Sequence, residues 1–247
     1  MTSVVRTVWA LVFGVGLCFG NAHAAAPGAP EEAAFSEAEK LLWTGDQLKA
    51  VTAPSVLEYR FIKSGTYEAG FSDSVVFTIQ QVKPDGMKTA SVGFFTGERR
   101  FPIPPEDSTN MNPVLKIYLQ GDVYEMNRLT DPDGKSRERW RYFQRRVKFA
   151  LAEAAKIEPT QFEFDGKSYA GKRVTFTPYS QDPKRDAFDK FANKLYSVIA
   201  SDDLPGFIYQ IQTTVPAKVA GAPPLIDEIL QLIAIKPYSP VVVKRPQ

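Results

Sequence analysis

The chain is poor in the residues that carry most enzyme chemistry. Among 247 residues there is one cysteine and one histidine, and both, Cys18 and His23, fall in the first 24. Beyond that segment a Ser-His-Asp or Cys-His constellation and a histidine-bearing zinc site are excluded. No disulfide staple is available, so stability must come from a buried core. The 44% hydrophobic content is enough to build one. Neither sign of charge dominates: 30 Lys and Arg stand against 28 Asp and Glu. That balance gives no global drive toward nucleic acid, and none is expected as a partner. No G-x-G-x-x-G, Walker-type or H-E-x-x-H pattern occurs, and no cofactor or metal is expected.

Long apolar runs are also missing, with one short exception. Arg6 supplies a positive start, Val8 to Phe19 is apolar, and Ala22-His23-Ala24 gives a small-x-small cleavage pattern. The run is shorter than the roughly 20 residues a span needs. Residues 1–24 are therefore read as a cleaved signal peptide, which predicts a periplasmic or secreted protein. Residues 25–35 follow as a flexible leader, 36–236 as a single α+β domain, and 237–247 as a Pro-rich tail.

Within the domain the apolar period alternates. Ser36 and Glu39 form a capping-box pattern opening a helix over 36–50, which Gly45 interrupts. Leu57, Tyr59 and Phe61, then Val75, Phe77 and Ile79, then Val92 and Phe94 recur at every second residue, with the turn Lys83-Pro84-Asp85-Gly86 between the last two sets. This predicts an antiparallel meander. Two helices follow, over 113–129 with Pro113 in its first turn and over 136–156, where Trp140, Phe143, Val147 and Leu151 form a stripe. Strand spacing returns at Phe162 and Phe164, turns at Asp165-Gly166 and continues through Val174 and Phe176. A short helix is expected over 184–193. Tyr196, Val198 and Ala200 then lead through Pro205-Gly206 into a strand bearing Phe207, Tyr209, Ile211 and Thr213. Residues 225–235 fit a helix or a strand; the strand is preferred because a long hairpin would return it beside 207–214.

The second half resembles a known arrangement. The hairpin Phe164-Asp165-Gly166-Lys167 leads into Lys172-Arg173-Val174-Thr175-Phe176, and the strand Leu195 to Ser201 passes through Leu204-Pro205-Gly206 into Tyr209-Gln210-Ile211. Over residues 157–214 this is similar to bacterial exported proteins with the lipoprotein-carrier half-barrel. The resemblance implies a curved antiparallel sheet wrapped around helices, with an apolar concave face. The basic helix and the run Pro102, Pro104, Pro105 fall outside it.

Candidate sites are few. Glu163 and Asp165 are the nearest approach to an acid–base pair, and they also suit a solvent-facing strand end. Asp202 and Asp203 suit a turn, and Asp131-x-Asp133-Gly134 lacks the closing glutamate of a calcium loop. Tyr59, Phe61, Phe77, Phe94, Tyr196, Phe207 and Tyr209 are expected along one side of the sheet. There they form core if helices cover them and line a pocket for an amphiphile if cover is partial. Arg137, Arg139, Arg141, Arg145 and Arg146 make the one concentrated charge feature, a face for an anionic membrane surface or an envelope protein. The composite expectation is an α+β fold with a curved antiparallel sheet of about seven or eight strands and two or three helices on one face. Its expected function is non-enzymatic: binding an apolar or amphiphilic, lipid-like small molecule. An accessory envelope protein that docks through the basic helix is the alternative.

Overall fold

The computed structural model describes residues 35–131, 133 and 139–240. The expected signal peptide, most of the leader, Arg137 and the end of the tail lie outside them.

Ser36 accepts from the Glu39 N–H while the Glu39 carboxylate accepts from the Ser36 N–H, so the predicted capping box forms and opens α1 (Glu37–Glu39). The helix continues only as a π-turn, Lys40–Thr44, and stops at Gly45, which is extended. Glycine at that point costs the helix more than it returns, so the expected helix to residue 50 is cut short. Alternating residues then build β1 (Ser55–Ser64), β2 (Phe71–Val82) and β3 (Lys88–Phe94), followed by a four-residue edge strand, β4 (Glu106–Thr109). Two helices come next: α2 (Pro113–Thr130) and α3 (Arg139–Glu153). The second meander comprises β5 (Lys156–Phe164), β6 (Lys167–Phe176), β7 (Leu195–Ala200), β8 (Ile208–Val215) and β9 (Ile226–Pro237). Residues 225–235 thus contribute to a strand, paired with β8 as the long hairpin requires.

All nine strands join one sheet in the order β4-β3-β2-β1-β9-β8-β7-β6-β5, every pair antiparallel. Each meander is a wing, and the wings are sewn together by β1 against β9. The ends are unpaired with one another, so this is an open, curved half-barrel rather than a closed one. Register shifts beside Tyr59, Gln81 and Ala200 add the local twist that such curvature uses. The chain leaves one edge at β4, crosses the concave face as α2 and α3, and re-enters at the other edge as β5.

The two helices are antiparallel neighbours: Gln120 bonds Gln144 and Tyr124 packs on Trp140, pairs whose numbers rise on one helix as they fall on the other. Their inward stripes, Leu115, Tyr118, Leu119 and Met126 with Phe143, Val147 and Leu151, bury against the sheet. The expected helix over 184–193 is a 3-10 segment, Arg185–Asn193, broken at Asp189, whose φ is 45°. Phe188 seats it on Phe143 of α3 and Phe191 on Tyr67 of the β1–β2 connection. Gly206 (φ 88°) lies so close to Leu57 that a Cβ there would sit 2.1 Å from its Cδ2, which fixes glycine in the turn before β8.

Candidate functional site

The concave face is built in cross-strand rows. One row is Phe61, Leu230, Ile211, Val198 and Val174, each the register partner of the next across β1, β9, β8, β7 and β6. It is wholly apolar and buried. Beside it, Leu57 faces Phe77, Tyr59 faces Val75, and Val75 faces Phe94. Of the seven residues expected to line this side, Tyr59, Phe61, Phe77, Phe94, Tyr196 and Phe207 are there, each 5% exposed or less. Helices α2 and α3 cover them through side chains, as in the ring contact of Tyr118 with Phe61. Phe207 reaches the face from the turn rather than from the strand, with a φ of 66°.

Tyr209 does not. The register shifts between Ile199 and Ala200, so β8 carries an extra residue and the expected alternation 207, 209, 211 is broken. Tyr209 is turned to the convex face, stacked on Phe162 at 4.1 Å, with Phe162 in turn stacked on Tyr169. Gly171 lies under that stack, where a Cβ would stand 2.9 Å from the Phe162 ring and 2.8 Å from the Ala200 carbonyl.

The next row along the concave face is polar, and sequence reasoning missed it. Lys63 on β1 is partnered in register with Glu228 on β9, Glu228 with Thr213 on β8, and Thr213 with Tyr196 on β7. Asp122, Glu125 and Tyr118 of α2 descend onto this row. Lys194, fully buried just before β7, pairs with Asp122, and the Tyr196 hydroxyl donates to the other oxygen of the same carboxylate. Glu228 lies 3.9 Å from the Lys194 ammonium. Lys63 meets Glu68 at 2.6 Å, Glu125 at 2.8 Å and Glu228 at 3.2 Å, and Arg128 closes the rim on Glu68 and Glu125. Tyr118 and Thr213 share a hydrogen bond of 3.1 Å, and Thr213 donates to Glu228.

Electrostatics follow from that packing. Burial alone would push the Lys194 ammonium down, but Asp122 and Glu228 reverse it and hold it above the ordinary lysine value. Burial raises the Asp122 carboxyl against the opposing pull of Lys194. Burial would likewise raise Glu125, but hydrogen bonds from Arg128 and Lys63 outweigh it and bring its pKa down to about 2. A signal for this cluster was present in the sequence: Lys63 shares the parity of Leu57, Tyr59 and Phe61, Glu228 that of Ile226 and Leu230, and Asp122 the stripe of Leu115, Tyr118 and Met126. Charge on an apolar parity marks a buried, paired group.

Two hollows lie elsewhere. A crevice of about 10 Å3, room for about one water, sits between Ala90, Val92, Ile103, Pro104 and Pro113. An open saddle lined by Arg60, Ile62, Ser72, Asp73, Ser74 and Thr96 lies on the convex face.

No protein-family model matches the chain, and no curated protein does. Among solved structures, a LolA superfamily protein of Nitrosomonas europaea is similar over 82% of this chain and 94% of that one, with 8% identity and a TM-score of 0.22. The likeness is weak. At that level no residue role passes from one chain to the other.

The remaining expected site residues are distributed by the helix layer. Arg139 is turned inward, donating to the Thr130 and Ala187 carbonyls, and Arg146 pairs at 2.6 Å with Asp182, which also accepts from Tyr142. Arg141 and Arg145 are exposed. Glu163 and Asp165 are exposed at the β5–β6 hairpin, where Asp165 (φ 50°) and Gly166 (φ 71°) make its turn. Asp202 pairs with Lys49 on the surface. Among the described residues no helix is long and apolar enough to cross a membrane, and no group of three or more His, Cys, Asp or Glu side chains is placed to hold a metal ion.

Proposed function

We propose that the protein is a non-enzymatic, exported binding protein that takes an apolar or amphiphilic, lipid-like molecule between the half-barrel and its helix layer. The observation that carries this reading is the continuous apolar row from Phe61 to Val174 beneath two helices. The row is fully covered and forms core in this arrangement, so a ligand enters only where the helix layer parts from the sheet. The cover joins the sheet through side chains and not through a strand ladder, so parting it would break the contacts of Asn112, Asp122 and Glu125 but no strand pairing. Aromatic and aliphatic surface of this kind recognises hydrocarbon with little demand on shape. The charged row at one end of the face suits the polar end of an amphiphile and leaves the apolar row for its chain. Export is supported by the segment 1–24, whose composition is that of a signal peptide.

The test is native mass spectrometry of the protein purified from its own host, followed by organic extraction. A co-purifying lipid-like mass released by solvent is the expected result, and it would identify the ligand class. An unliganded mass that stays unchanged after incubation with envelope lipids would overturn the reading.

A further inference from the structure

The helix layer has a second face, and its chemistry differs from that of the first. On α3 the basic residues Arg139, Arg141, Arg145, Arg146 and Lys148 are opposed by one acid, Glu153, in the last turn. Arg139 and Arg146 are used internally, as described above. Arg141, Arg145 and Lys148 point outward, at the three- and four-residue steps that place them along one side of a helix. Lys116 is exposed on α2, and the spacing of the pairs 120/144 and 124/140 sets it opposite Lys148. Aromatic rings are set among these cations. Phe149 is 54% exposed with the Arg146 guanidinium over it, Tyr124 is 47% exposed, and Tyr124 packs on Trp140, which carries the Arg141 guanidinium 5.3 Å from its ring.

We propose that this outer face of the α2–α3 pair docks on an anionic phospholipid surface. Two antiparallel helices side by side present a broad, shallow slab, which suits a plane better than a groove. Its cations match phosphate in sign, and amphipathic rings are the side chains that settle at headgroup depth. A protein partner would ask for the apolar groups to be gathered into one patch. Here they are split between the two ends of the helix pair, Tyr124 with Trp140 at one and Phe149 at the other, with cations between. The inference does not depend on what the concave face holds.

The experiment is co-sedimentation of the protein, as purified from its host, with phosphatidylcholine vesicles and with vesicles containing about one-third phosphatidylglycerol. Binding to the second kind only, stripped as salt rises from about 0.1 M to about 0.5 M, is expected. R145Q/K148Q should weaken it about 30-fold, at roughly fivefold for each surface cation. F149S should weaken it several-fold without changing its salt dependence. K172Q/K218Q, on the sheet and the β8–β9 connection, should leave it unchanged, and far-ultraviolet dichroism verifies that each variant is folded. Equal binding to both vesicles, or binding indifferent to R145Q/K148Q, would overturn the proposal. Failure to bind either vesicle would do the same, and cross-links from position 145 to an acidic protein would then assign the face to that partner.

Discussion

Lys194 has given up its hydration entirely, and an ammonium in that position survives only through its partners. Asp122 supplies most of the compensation, with Glu228 farther off. Removing one partner leaves a charge stranded, whereas removing both takes away the charge pair and leaves the Tyr196 hydroxyl with Tyr179 and Glu228 with Thr213 and Lys63. D122N should therefore cost about 3–5 kcal/mol in urea unfolding, and D122L/K194M should recover most of that loss. Additive losses in the double variant would show that the pair is not the unit. Glu125 responds to pH in the direction its environment sets. Its folded pKa, about 2, lies below its ordinary 4.5, so the stability it contributes is present above about 4.5 and is lost as pH falls toward 2. The urea midpoint should drop through that window, and E125Q should flatten the part due to this carboxylate. An unchanged acid limb in E125Q would assign the loss to other groups.

At the scale of elements, α2 is held to the sheet at both ends by different chemistry. Its first turn is fixed by neutral hydrogen bonds. Asn112 caps the Val114 N–H, and its amide donates to the Tyr59 hydroxyl at 2.9 Å and to the Gly206 carbonyl at 2.7 Å. Gln47 accepts from the Asn112 N–H and donates to the Leu42 carbonyl, tying the π-turn after α1 to the same point. Its later turns are fixed by the ionic row around Asp122 and Glu125. N112A should cost about 2–3 kcal/mol, a lost cap plus buried groups left without partners, and the loss should be insensitive to salt and to pH below 9. A salt-dependent loss would mean that the ionic row had been disturbed as well. Element identity was legible in sequence because period-two and three-to-four spacing is local: β1 to β3, α2, α3 and the Asp165-Gly166 hairpin are where the pattern puts them. Contacts distant in sequence were not. Asp122 and Lys194 are 72 residues apart, and nothing in either neighbourhood names the other. Likewise β4, with the sequence Glu-Asp-Ser-Thr, offers no apolar alternation to read, and the extra residue at Tyr209 leaves no trace in composition.

Over the whole molecule, the architecture depends on one seam. Each wing is a meander of neighbouring strands, closed early in sequence terms, but β1 and β9 are separated by most of the chain and, among the described residues, are the strands that join the wings. Helices α2 and α3 bridge the same gap on the concave side, so the wings share one core rather than owning two. Leu230 sits at the crossing point, fully buried, between Phe61 on one wing and Ile211 on the other. Because both wings lean on it, L230A should cost about 2–5 kcal/mol and leave unfolding as a single transition. Independent wings would instead show two transitions in the variant, with the first wing surviving the second. Hydrogen exchange gives the same argument spatial detail. Protection should be highest in β1, β9 and β8, where each strand is paired on both sides near the seam, and lowest in β4, an edge strand with only two register pairs to β3. A β4 that exchanged as slowly as β9 would mean that the sheet opens only by global unfolding.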